Sequence, residues 1–241
     1  MSNGLILWEG HSKIDGGPIA VIATGLKQGS TNSKTGAMVQ TYILRRDIAP
    51  MEAVKTGDDA SICGGCPHRG DGNGKGRSCY VTLMHGPRGV WAAYKRGSYP
   101  KATLQEVADA MEGRTVRLGT YGDPAAAPLG LWLAVILRAA GWTGYTHQWR
   151  EAHDGFAQFC MASVDSIDEM HEAHLAGYRT FRVSPGVGEQ TDREIVCPAS
   201  EEAGKRTTCE NCQLCAGLST NSPKSIVIAA HGTGRKYVTQ T

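Results

Sequence analysis

Eight cysteines are the residues of this 241-residue chain whose type and spacing could do chemistry. Cys209, Cys212 and Cys215 form a CxxCxxC run, and Cys197, followed by Pro198, precedes them across a polar loop. Four thiolates in so short a segment call for a metal. Zinc sites mostly draw their ligands as two separated CxxC pairs. A compact CxxCxxC with one distant Cys-Pro instead suits a [4Fe–4S] cubane, where three close ligands hold three irons and the fourth comes from elsewhere. The order is inverted here, with the Cys-Pro first. The spacing points to a [4Fe–4S] cluster on Cys197, Cys209, Cys212 and Cys215, with zinc as the alternative and uncoordinated core thiols as the competing structural explanation.

A second group stands earlier, Cys63 and Cys66 in ICGGCPHR and then Cys79 in SCY. Between them Gly70, Gly72, Gly74 and Gly76 punctuate a loop. That loop lacks the Lys-Ser/Thr pair of a phosphate cradle, so its glycines read as backbone freedom for folding round a second metal site, iron–sulfur or zinc. Cys160 is the one cysteine left over to close that site as a fourth ligand. His68 and His85 are alternatives from the same segment. A lone cysteine among the apolar neighbours of Cys160 is also ordinary core.

The length allows one large core. A net charge of +2 does not announce a nucleic-acid binder. The longest apolar run, Pro128 to Gly141, is interrupted by Gly130 and Arg138 and reads as a buried helix rather than a membrane span. The start MSNGLILWEG lacks the features of a signal peptide, which places the chain in the cytoplasm, where clustered cysteines bind metal more often than they form disulfides.

The elements that must position these residues follow from the chain in order. Pro18–Thr24 and Met38–Leu44 are β-branched runs joined by a polar arm, and residues 1–60 read as an N-terminal β-hairpin extension. Lys13, Lys27, Lys34, Arg45 and Arg46 give that arm a basic character. Residues 61–241 then alternate. Helical spacing covers Gly89–Arg96, Thr103–Glu112 with Thr103 as N-cap and Gly113 as stop, residues 125–140, and Ser166–Ala176. Strands are expected at Thr115–Thr120, Thr143–Trp149, Phe156–Val164, Tyr178–Val183, Arg193–Cys197 and Lys224–Ala230. Alternation of this kind argues an α/β fold with a parallel sheet, a partial TIM-like βα barrel carrying cysteine-rich metal-binding loops. Asp123, His147, Gln148, Asp165, Ser184, Cys197 and His231 fall at the carboxyl ends of these strands, which in a barrel share one mouth. Asp123 and His147 are the candidate catalytic residues, and a small-molecule ligand at the mouth is the expected partner.

The middle of the chain resembles the radical SAM superfamily and its SAM-less relatives. Cys63, Cys66 and Cys79 take the place of that family's cysteine loop, and Gly122-Asp123-Pro124 the place of its Gly-Gly-Glu-Pro segment. The resemblance implies that Gly122, Asp123 and Pro124 hold S-adenosylmethionine through its amino group. The spacing departs from the family's CxxxCxxC, since twelve residues separate Cys66 from Cys79. Over most of its length the chain also resembles phage-encoded proteins sharing ICGxCPHR…CY, a Gly-Asp-Pro strand end and a late cysteine cluster. That likeness brings no activity with it; it implies the cytoplasm of a host cell.

Other residue sets weigh less. His171-Glu-Ala-His174 is one residue short of HExxH and reads as an exposed helix face. Trp142, Tyr145 and Trp149 crowd the His147 strand as pocket lining or core. Arg179 and Arg182 flank Phe181 and, taken as sharing one face, would hold an anion or make outer salt bridges. No GxSxG appears. The chain therefore reads as an iron–sulfur protein with a redox or SAM-related role, or as a redox sensor. The alternative is a non-catalytic, zinc-stabilised module gripping nucleic acid or a host protein through Lys27, Lys34, Arg45 and Arg46.

Overall fold

In the computed structural model, which describes residues 2–186, 190–220 and 222–238, the chain is a mixed α/β fold built on two five-stranded sheets. The first holds β1 (Gly4–His11), β2 (Pro18–Thr24), β3 (Val39–Arg45), β4 (Thr115–Tyr121) and β5 (Gly141–Thr143) in that order. The second holds β6 (Tyr145–Thr146), β7 (Met161–Val164), β8 (Thr180–Ser184), β9 (Glu194–Val196) and β10 (Ser225–Ala229), with β10 inserted between β8 and β9. Every pairing in the second sheet is parallel. The first begins as an antiparallel meander, β1 to β3, and turns parallel from β3 to β4 and β5.

One residue, Gly144, separates the two sheets. Its carbonyl accepts the Met161 N–H at 2.9 Å, and its own N–H donates to Cys215 O at 2.9 Å. A Cβ there would stand 2.8 Å from Cys160 Sγ, so only glycine lets β5 run on to β6 at this depth. The strands do not close into a barrel among the described residues, because no strand of the first sheet pairs with one of the second.

The N-terminal hairpin is no appendage. β3 is buried along its whole length and pairs with β4, and Ile19, Val21, Ile22 and Ile43 share one core with Leu118, Trp132 and Phe159. The continuous apolar run of β2, PIAVIAT, is likewise that of a strand covered on both faces.

Helices α1 (Pro50–Thr56), α2 (Ala60–Cys63), α3 (Gly86–Lys95), α4 (Leu104–Ala110), α5 (Leu129–Ile136), α6 (Ile167–Leu175) and α7 (Cys209–Cys212) fill the connections. Thr103 caps α4 in a full capping box with Glu106, and Gly113 follows it at φ +66. Three expected elements differ. The helix expected over 125–140 divides into a 3₁₀ turn, Pro124–Ala126, and α5, because Pro128 holds an extended conformation at the N-cap. The strand expected from Phe156 begins only at Met161, since Asp154–Gln158 winds as a 3₁₀ helix whose first turn is capped by His153. The strand expected over Thr143–Trp149 starts at Gly141 and ends at Thr146.

Candidate metal centre

A cavity of about 440 Å³ opens at the carboxyl ends of the parallel strands, and both cysteine groups line it. Asp123, His147, Cys197 and His231 meet there from β4, β6, β9 and β10, the place where parallel α/β sheets carry ligands. Phe181, Val183, Ile226 and Ile228 form its apolar floor.

The late cysteines sit on that floor. Cys197, Cys209 and Cys215 are buried in a small core with Met38, Met161, Ile226 and Ile228. Thr208 caps α7 through Asn211 N, and Gln213 ends it in the left-handed region at φ 50, turning Cys215 inward. The arm between β2 and β3 holds the turn from outside: Cys209 N donates to Lys34 O at 2.8 Å, and Glu210 accepts the Ala37 N–H at 2.9 Å. Burial first, then the neighbouring thiols, pushes Cys215 up to about 12. Cys197 and Cys212 rise for the same two reasons.

Arg117 of β4 faces this group. Its side chain is buried, donates to Tyr80 Oη at 2.6 Å and lies 5.4 Å over the Tyr145 ring. Among the described residues it has no carboxylate partner. Its nearest polar partners are the Tyr80 and Tyr145 hydroxyls and the Cys209 thiol, which together hold its pKa above the ordinary arginine value despite burial.

Cys63 ends α2, Cys66 opens the 3₁₀ turn Pro67–Arg69, and Cys79 returns through the Cys79 N–H to His68 O bond of 3.0 Å. Burial, then each other, raises the Cys63 thiol well above the ordinary range, and burial raises Cys79. Arg69 braces the loop, donating to Asp59 at 2.6 Å, Gly64 O at 2.9 Å and Gly57 O at 2.9 Å. Gln148 braces it too, donating to Cys63 O at 3.1 Å. Neither Arg69 nor Gln148 was singled out as a metal-loop brace by residue type, since their partners are mostly backbone carbonyls.

Cys160 lies elsewhere. It is fully buried against Gly144, does not line the cavity, and has Asp123 rather than another thiol as its ionisable neighbour. One imidazole approaches the early cysteines: His147 Nε2 stands 3.8 Å from Cys66 Sγ. All eight cysteines are free thiols.

Both oxygens of Asp123 are taken. Oδ1 accepts the Ala125 N–H at 2.9 Å and Oδ2 the His147 N–H at 2.7 Å. Gly122 stands at φ +83, with a position for Cβ only 2.7 Å from Ile43, so the turn admits no side chain there. Pro124 accepts the Trp132 indole N–H at 2.7 Å, fastening α5 to the same turn.

The remaining candidates separate. Arg179 and Arg182 do not share a face, because three positions along a strand reverse the side-chain direction. Arg179 donates to the carbonyls of Leu214, Gly217 and Lys224, whereas Arg182 is buried against Glu194. Tyr145 lines the cavity, while Trp149 lies in the core beneath Arg150. Arg45 is buried against Asp47 and Ser61, and Lys34 turns into the cavity, so the basic hairpin does not offer one cationic face. His171 is exposed, and Glu169 and Glu172 pair with Arg150. Among the described residues no helix is long and apolar enough to cross a membrane. Comparison of the chain with protein-family models, with curated proteins and with solved structures finds no match.

Proposed function

We propose that this chain is an iron–sulfur protein with a redox or SAM-related role, carrying a [4Fe–4S] cluster on Cys197, Cys209, Cys212 and Cys215 at the mouth of an incomplete βα barrel. The observation that carries the reading is the meeting of two separate cysteine groups on one cavity. Arg117 adds support. A buried guanidinium without a carboxylate is costly unless something anionic completes it, and thiolate-bound metal beside Cys209 would supply that charge.

The choice of iron over zinc rests on the sequence spacing, a compact CxxCxxC with one distant Cys-Pro in place of two separated CxxC pairs.

A cluster of this kind supplies one-electron chemistry. The protein's own contribution is an apolar floor, Arg117 as counter-charge, and a cavity that would admit a small molecule beside the metal. Cys63, Cys66 and Cys79 form the second set, and three ligands on a cubane would leave one iron for an outside ligand such as S-adenosylmethionine. Gly122-Asp123-Pro124 is the segment that would meet its amino group; each Asp123 oxygen accepts one backbone N–H, which orients a carboxylate that has about four acceptor positions.

Anaerobic purification with iron, sulfide and zinc assay, and the absorbance of the thiolate-to-iron band, tests the reading. The expected result is brown protein that loses iron and sulfide when Cys209, Cys212 and Cys215 become serine. Colourless protein holding only zinc overturns it and favours a zinc-stabilised binding module.

A further inference from the structure

Beside the early cysteines, three side chains from distant parts of the chain bring ligand atoms together: His68, His147 and Asp165, all within 4.8 Å of one another. His147 and Asp165 follow the adjacent parallel strands β6 and β7, and His68 rides the turn after Cys66. His68 Nε2 lies 2.9 Å from Asp165 Oδ1, and His147 Nε2 lies 3.6 Å from Asp165 Oδ2. Ligands bound to one ion at about 2.0–2.1 Å stand roughly 2.9–3.4 Å apart between right-angle and tetrahedral arrangements. The two separations bracket that range.

An ion pair alone does not account for the geometry. His68 Nε2 and Asp165 Oδ1 are buried 2.9 Å apart, and neither has another partner among the described residues. The far side of His68 is fixed, because Nδ1 meets Ser78 Oγ at 2.7 Å. A ring whose Nδ1 donates to a hydroxyl keeps its lone pair on Nε2, the usual outer support of a metal-binding histidine. His147 is held in place by its backbone N–H on Asp123.

We infer that His68, His147 and Asp165 form a binding site for a first-row divalent cation, two imidazoles and one carboxylate with the remaining positions open toward the cavity. This donor set suits Fe2+ or Zn2+ rather than Mg2+ or a cluster. It is distinct from the cysteine sets and does not depend on the iron–sulfur reading, although Cys66 Sγ, 3.8 Å from His147 Nε2, places it against the early cysteines.

Co2+ is the probe, added under anaerobic conditions to the full chain, with bound equivalents counted and the visible bands of nitrogen- and oxygen-bound cobalt recorded. Iron and sulfide are measured on the same samples, so that failure of the iron–sulfur reading registers separately. The expected result is that Asp165→Asn and His68→Gln each bind one equivalent fewer than wild type, with iron and sulfide unchanged. Ser78→Ala should weaken that equivalent by roughly 10–100-fold, and the exposed His171→Gln should leave it intact. Circular dichroism verifies folding, and His68→Gln carries the same expectation should Asp165→Asn fail to fold. Equal cobalt binding by wild type and both variants, or an equal loss in His171→Gln, overturns the inference.

Discussion

Asp123 Oδ2 accepts the backbone N–H of His147 at 2.7 Å, tying the turn after β4 to the end of β6. The same carboxylate holds Ala125 N at 2.9 Å, so one buried side chain fixes two strand ends that open on the cavity. Asp123→Asn presents an amide N–H to one of those donors and loses that bond. Hydrogen bonds to a charged acceptor contribute about 1.5–3 kcal/mol each, and a loss of that size is expected in urea unfolding. A change below about 0.5 kcal/mol, the range of ordinary surface substitutions, would mean the tie is not made.

Arg179 fastens the late cysteine turn from behind. Its guanidinium donates to Leu214 O at 2.7 Å and Gly217 O at 2.9 Å, on either side of Cys215, and to Lys224 O. A lysine cannot present this planar fork to three carbonyls at once. Arg179→Lys is expected to cost about 2–4 kcal/mol, one to two charged hydrogen bonds, and to lower the iron bound per chain after anaerobic reconstitution. Full iron loading with unaltered stability would show the clamp to be unimportant.

What could be read in advance is what chain-local patterns encode. The apolar runs of β2 and β3, the Thr103 cap with Gly113 beyond α4, and the division of the cysteines into an early and a late group all survive in space. Partners remote in sequence were not legible. His68 and Asp165 come together only because β7 ends opposite the early loop, and no periodicity connects them. The parallel pairing of β3 with β4 was missed because alternation marks a strand but not its neighbour. The two backbone N–H groups that Asp123 accepts were not legible either, since residue type at a strand end does not reveal hydrogen-bond partners.

Arg117 gives opposite signs in two states. In the metal-free chain its buried guanidinium lacks a carboxylate among the described residues, so Arg117→Met is expected to be neutral or stabilising in urea unfolding. Beside a cluster on Cys209 the same change removes a nearby positive charge, which lowers the reduction potential. A redox titration of the reconstituted variant should therefore shift negative relative to wild type. An unchanged potential would place the cluster away from Arg117.

Glu194 and Arg182 form a buried bidentate pair, Oε1 to Nε and Oε2 to Nη2 each at 2.8 Å, on the face of the second sheet away from the cavity. Burial pushes the Glu194 carboxyl up, but Arg182 and the Thr191 N–H and hydroxyl outweigh it and hold it below the usual carboxylate range. A carboxyl lowered by folding contributes stability that is present above its unfolded value, about 4.3, and lost as pH falls through the folded value. Unfolding free energy should thus be level between pH 7 and 5 as far as this pair is concerned and fall below about pH 4.3. Glu194→Gln leaves Arg182 without its carboxylate and is expected to cost about 3–5 kcal/mol at pH 7. Its acid slope should be shallower than that of wild type, because the titrating group is gone. Urea unfolding of both proteins at pH 7, 5 and 3.5 checks the pair, and parallel slopes would show that the acid sensitivity resides in other carboxylates.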